Sequence, residues 1–506
     1  MITDIKNELS NIKQLTENGA VGYTTTGKEL LDLNFMTSSL RNKSEDEIFK
    51  LFLKAFYEDK LLAIKWLFFM RDAREGMGER RSFRIILNGL GHQHPTIAKE
   101  LISLVPEYGR WDDLYFLMDG DLTEYVVDFI YQQLDEDCGN YLNEKPISLL
   151  AKWLPKESTK KYKKVYNILL KKFNMTPKEY RKIVSDLRRY LDVVEVKMSA
   201  NEWNKVNYNT IPSKANLLYK DAFLKHDEER RNEYLENLKN GNENTKINAK
   251  VLMPHEIVHN YTTYHSGYYP IIKSFDETLE QLWKSLPDYV DGEDFSMFVR
   301  DGSGSMTDRI GNTSTTCLDV STALAIYFSE HCKGEYKDNF ITFSNSPKVI
   351  DLSNCSSLRE KIKKCYAEDD WTNTDIYKVF KLVLDVAIKN QYTQEQLPKN
   401  IVICSDGEFD HMTTSRDHET LFETIQVEYL LHGYDLPRLV FWNVCSRTGT
   451  IPLKTNKNGV CLVSGFNPTI MDMVLRGELD PYKCLVDKLN SSRYDAVEKA
   501  VKNVLN

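Results

Sequence analysis

Cysteine is scarce in this chain and never falls in a Cys-x-x-Cys pair; the 506 residues carry nine thiols. An odd number without paired spacing argues for reduced thiols in a cytosolic compartment and against a disulfide framework. Cys404 and Cys445 fall inside apolar runs and read as small core residues. Long apolar runs are lacking as well. The longest, at 61–70, is interrupted by Lys65 and is too short to cross a bilayer, so no membrane contact is expected. The start, Met1-Ile2-Thr3-Asp4, has no basic patch followed by an apolar core, and no secretory leader is read there. Neither charge dominates: a net −8 leaves no global basicity that would announce nucleic acid. A phosphate-cradling glycine loop with lysine is absent too.

What is present divides in two. From about residue 44 the apolar positions keep helical spacing, as in Ile48, Leu51, Phe52, Ala55 and Phe56. Short helical segments with brief linkers continue to about residue 286, with strand patterns almost absent. They predict an α-helical, HEAT-like repeat domain over 1–286, its repeats degenerate because no strict period is found. Within it, residues 151–190 hold thirteen basic positions against three acids, while Tyr162, Val165, Tyr166, Leu169, Leu170 and Phe173 keep helical spacing. That is a packed amphipathic helix with a basic outer face, the footprint expected for phosphate contacts. The candidate RNA contacts are Lys160, Lys161, Lys163, Lys164, Lys171, Lys172, Arg188 and Arg189. The basic connection farther upstream adds Arg71, Arg74, Arg80, Arg81 and Arg84.

Proline, glycine and acids cluster at 286–293, and beyond them strands and helices alternate. Strands at 295–300, 339–344, 400–405, 438–444 and 459–463 predict a doubly wound α/β domain over 287–506. The matching helices fall near 316–333, 356–366, 375–390, 417–432 and 481–504. Just past the first strand comes Asp301-Gly302-Ser303-Gly304-Ser305, an acid and two hydroxyls at alternate positions with glycines between. Thr374 opens another helical pattern, and Asp406 ends a buried strand. Oxygen ligands gathered at the carboxyl ends of strands suit a hard divalent cation. These segments resemble a von Willebrand A domain carrying a metal-ion-dependent adhesion site. The resemblance implies that Asp301, Ser303, Ser305, Thr374 and Asp406 hold Mg²⁺, or Mn²⁺ or Ca²⁺, with a coordination position open to a carboxylate from a protein partner.

A helical-repeat half joined to such a domain resembles the Ro autoantigen, or TROVE, proteins. The nearer resemblance is to an uncharacterised family allied to them. It is carried by Tyr108-Gly109-Arg110-Trp111-Asp112-Asp113-Leu114, Pro254-His255-Glu256-Ile257 and the segments at 16–20, 31–33, 71–80, 439–443 and 463–466. The resemblance implies a non-enzymatic RNA-binding scaffold, with a protein–protein adhesion module without nucleic acid as the alternative. A third reading is a zinc peptidase, since His255-Glu256-Ile257-Val258-His259 matches His-Glu-x-x-His. Pro254 sets that motif in the first turn of its helix, and only Glu277 or Glu280 is at hand as a third ligand. Ser303 is not the nucleophile of a Gly-x-Ser-x-Gly elbow, because position 305 is serine.

Overall fold

A computed structural model of the chain describes residues 13–505, except 18, 20, 265–269, 291–295, 344–345, 370–374, 409–420, 452–459 and 468–479. The chain folds into two compact units, each drawn from two separate stretches of sequence. One compact unit gathers Ile64–Asn248 with Ser492–Asn506, and the other gathers Met1–Ala63 with Ala249–Ser491.

The first unit is helical, with no strand among its described residues. Helix α1 (Lys163–Phe173) buries Val165, Tyr166, Leu169 and Phe173, and stops where Asn174 takes a left-handed φ of 50°. Helix α2 (Pro177–Tyr190) starts with a capping box: Thr176 accepts from the Glu179 N–H while Glu179 reaches back. Its Tyr180, Val184 and Leu187 face inward. Between the apolar contacts runs a buried charge ladder. Arg71 meets Asp113 at 2.8 Å, and Arg84 meets Asp113 at 2.5 Å and Asp112 at 2.8 Å. The end of the chain joins this unit. Tyr494 packs between Phe69 and Tyr108, and Arg493 pairs with Asp72 at 2.7 Å. The single helix expected over 481–504 is accordingly broken, into Pro481–Leu489 and Asp495–Val501.

The second unit is built on a six-stranded mixed sheet. Its strands are β1 (Ser296–Asp301), β2 (Asn339–Phe343), β3 (Val349–Asp351), β4 (Asn400–Ser405), β5 (Arg438–Asn443) and β6 (Val460–Ser464). They lie in the order β6-β5-β4-β1-β2-β3, all parallel except the edge strand β3. β4 and β5 are buried at every position, which is why they read as unbroken apolar runs. Leaving β1, the chain builds outward to β3, then returns to lay β4 on the other side of β1. The topological switch point therefore lies between β1 and β4. Helix α3 (Pro254–Tyr261) packs on helix α4 (Cys317–His331), whose residues 317–329 are all buried against it and the sheet.

The N-terminal segment belongs here because it hydrogen-bonds to the strand ends. The Ser38 Oγ donates to the Asn443 carbonyl at 3.1 Å, the Asn443 side chain donates to the Phe35 carbonyl at 2.8 Å, and Tyr23 N donates to the Ile451 carbonyl at 2.7 Å. Two short antiparallel pairs, Lys13–Leu15 with Val21–Tyr23 and Thr262–Tyr264 with Pro270–Ile272, lie before residue 290, where strand patterns are almost absent from the sequence. At three residues a strand, neither is long enough to show a period of two. None of the nine cysteines forms a disulfide. Among the described residues no helix is long and apolar enough to cross a membrane.

Candidate functional site

The switch point brings together four of the five residues assigned to the cation. β1 and β4 are in register over Ser296↔Asn400 to Arg300↔Cys404, so Asp301 and the Ser405-Asp406 turn leave the sheet side by side. Ser303 N donates to Asp301 Oδ1 at 2.9 Å, Ser405 Oγ donates to Oδ2 at 2.6 Å, and the Ser303 and Ser305 hydroxyls lie 3.0 Å apart. Glycine is required at 302, because a Cβ there would sit 2.3 Å from the Asp369 carboxylate. That carboxylate grips the fully buried Arg300 in two parallel hydrogen bonds, at 2.6 and 2.8 Å. Thr374 lies outside the described residues.

Two carboxylates share this pocket, and both are buried. Burial first, then the charge of Asp301, pushes Asp406 up to about 7; a hydrogen bond from Ser305 and the nearby Arg447 pull the other way. Burial likewise raises Asp301. Among the described residues no group of three or more His, Cys, Asp or Glu is arranged to hold a metal. The donor set here is instead two carboxylates and hydroxyls. It is oxygen-only and fits a hard cation such as Mg²⁺, which Asp301, Ser303, Ser305 and Asp406 would hold and which would supply the missing countercharge.

Sequence reasoning missed two residues of this region. Arg447 stands 3.4 Å from Asp406 and also pairs with Asp308 at 2.9 Å and Glu17 at 2.6 Å. Fully buried Glu408 accepts from the Arg447 and Thr448 N–H groups, both at 3.0 Å, and from the Glu17 N–H at 2.8 Å. It thereby ties the N-terminal segment to the loop after β5. No local pattern marks either residue, since their partners lie tens to hundreds of positions away.

Two expected results follow. Replacing Arg447 by Gln removes a positive charge beside the pocket, so divalent-ion affinity measured by calorimetry rises about tenfold, the size of one partly screened charge interaction. Equal or weaker binding contradicts this. With divalent ions chelated, the folded state keeps a proton on Asp406 that the unfolded chain releases above its ordinary value of 3.8. A raised folded value favours folding at low pH, so stability declines as pH rises from about 4 to about 7, by up to about 4 kcal/mol. Urea midpoints show that slope in the parent chain and its loss in Asp406→Asn; identical slopes contradict it.

The basic residues separate into two kinds. Arg71 and Arg84 are buried in the Asp112–Asp113 ladder, Arg74 pairs with Glu107 at 3.1 Å, and Nε and Nη2 of Arg188 donate to the Ala151 and Leu154 carbonyls, both at 2.8 Å. Arg71 and Arg84 are thus buried with carboxylate partners, a correction to their assignment as phosphate contacts. Lys172 pairs with Asp128, whereas Lys160, Lys161, Lys163, Lys164 and Lys171 are exposed. Arg80 and Arg81 are exposed also. Beside α2 the helical unit opens a groove of about 1170 Å³, lined by Arg110, Lys152, Lys156, Arg181, Arg188, Arg189 and Lys214, with Glu157 and Glu195 as its acids. Trp153 lies in the groove with the Arg110 guanidinium 4.0 Å over its ring, and Tyr219 and the exposed Leu218 continue the apolar wall. Of the residues assigned from sequence only Arg188 and Arg189 reach this groove; Arg110 and Lys214 lie far outside the basic stretch that drew attention.

The zinc pattern is dispersed into other roles. The Glu256 carboxylate accepts from Met253 N at 3.0 Å, the buried His255 ring packs edge-on against Phe466, and both ring nitrogens of His259 have partners. Glu280 accepts from Leu358 N at 2.8 Å and Tyr261 OH at 2.7 Å.

Residues 16–118 and 148–291 match a family described as a domain of unknown function, DUF2828, and residues 296–503 match another, DUF7788. The chain is 29 % identical to "Uncharacterized protein L728" of Acanthamoeba polyphaga mimivirus, over 92 % of this chain and 84 % of that protein. Among solved structures it is similar to the Ro (RSR) protein of Deinococcus radiodurans, covering 92 % of this chain and 93 % of that one. At 9 % identity and a TM-score of 0.34, that likeness carries no argument.

Proposed function

We propose that the chain is a binding scaffold whose helical unit holds single-stranded RNA in the groove beside α2. The α/β unit, read as a von Willebrand A-type domain, would hold a divalent cation at the switch point. The observation that carries the RNA reading is the groove lining: seven cationic side chains against two acids, with Trp153 and Tyr219 among them. Cations on a flexible stem neutralise phosphates without regard to sequence, while flat rings give bases a stacking face. Lys152 and Lys156 have no ion-pair partner among the described residues, so they are free to take a phosphate. Fluorescence anisotropy of a labelled single-stranded RNA tests the reading: binding tightens as salt falls and is lost on charge reversal in the groove. The cation at Asp301 and Asp406 would keep a position open for a partner's carboxylate, the alternative by which the chain serves as a protein–protein module. That reading predicts cation binding with no RNA retention.

A further inference from the structure

The sequence separates Ser314, His259 and Asp319, and the second unit reunites them. His259 Nδ1 lies 2.8 Å from Asp319 Oδ2, and its Nε2 lies 2.9 Å from Ser314 Oγ. Asp319 is fully buried, while the His259 side chain keeps 25 % of its surface and Ser314 stands on an exposed turn. A carboxylate only accepts, so Asp319 holds the proton on Nδ1 and turns the lone pair of Nε2 toward the serine hydroxyl. The carboxylate is itself held: Thr262 Oγ1 donates to Oδ1 at 2.8 Å, Tyr264 OH to Oδ1 at 3.1 Å, and Thr316 N to Oδ2 at 3.1 Å. Such an arrangement of nucleophile, base and buried orienting acid is recognised by geometry and not by chain order.

We propose that Ser314, His259 and Asp319 form a nucleophilic triad that hydrolyses small carboxylic esters arriving from solvent. Ser314 Oγ attacks the ester carbonyl carbon as its proton passes to His259 Nε2. The tetrahedral oxyanion collapses, the carbon–alkoxide bond breaks, and the leaving alkoxide takes that proton. Water then attacks the acyl-serine, giving its proton to Nε2, and the acid departs as Ser314 regains its hydrogen. Ser314 and His259 are the catalytic residues; Asp319 is a positioning residue.

A fluorophosphonate probe, which phosphonylates activated serines with loss of fluoride, tests this on the full chain. One label per chain is expected, on the peptide containing Ser314, and none in Ser314→Ala, which alters only an exposed turn. His259→Gln abolishes labelling. Asp319→Asn slows the maximal labelling rate about a hundredfold or more while leaving the half-saturating probe concentration unchanged. No label, a label elsewhere, or labelling that survives Ser314→Ala or His259→Gln overturns the proposal. A change confined to half-saturation in Asp319→Asn would overturn the orienting role.

Discussion

Asp301→Asn is expected to abolish divalent-cation binding. Calorimetry with Mn²⁺ or Mg²⁺ should show affinity lower by at least about a hundredfold, the equivalent of about 2.7 kcal/mol. The reason is local. Asp301 is fully buried, its two oxygens are aligned by Ser303 N and Ser405 Oγ, and Asp406 sits in the same pocket. Asparagine keeps the volume but removes one of the two charges that a dication would neutralise. The thermal consequence runs in opposite directions with and without metal. In chelator the variant is as stable as the parent or more so, because two buried acids no longer compete. In Mg²⁺ the parent alone is stabilised, as any ligand that binds only the folded state requires. Unchanged affinity in the variant would remove the site.

Charge reversal in the groove is the second large effect. Lys156→Glu combined with Arg181→Glu should weaken binding of a single-stranded RNA by more than tenfold. It should also flatten the dependence of log K on log salt by about 1.4, near 0.7 for each phosphate no longer neutralised. Among the described residues Arg181 pairs only with the exposed Glu157, at 2.9 Å, and neither Lys156 nor Arg181 is buried, so folding is retained. The same reversal at Lys163 and Lys164 serves as the comparison: these are exposed and basic but lie outside the groove. Equal losses at both places would mean a diffuse electrostatic surface instead of a built site.

How far these features were legible varies with the range of the interaction behind them. β1, β2, β4, β5 and β6 announce themselves by apolar runs at nearly the expected positions, and β1 and β4 carry their acids at the ends that meet. β3 does not, being a three-residue edge strand with exposed Val349 and Asp351 on either side of Ile350. Membership of 1–63 in the α/β unit rests on contacts such as Ser38 with Asn443, which no window of sequence contains. Charge was visible in 151–190, but its use was not. Arg188 donates to carbonyls, Lys160, Lys161, Lys163 and Lys164 are exposed but do not line the groove, and Arg110 supplies the groove from a segment read as a family motif. His259 shows the same limit. Its place in a His-Glu-x-x-His pattern suggests zinc, whereas its partners arrive from the turn before α4 and from α4 itself.

RNA lying in the groove beside α2 is the central claim. Ultraviolet crosslinking of the full chain to a labelled single-stranded RNA, followed by peptide mapping, examines that directly. Crosslinks concentrated on the peptides containing Trp153 and Tyr219 are predicted; crosslinks confined to other peptides, or no retained RNA at low salt, would contradict it.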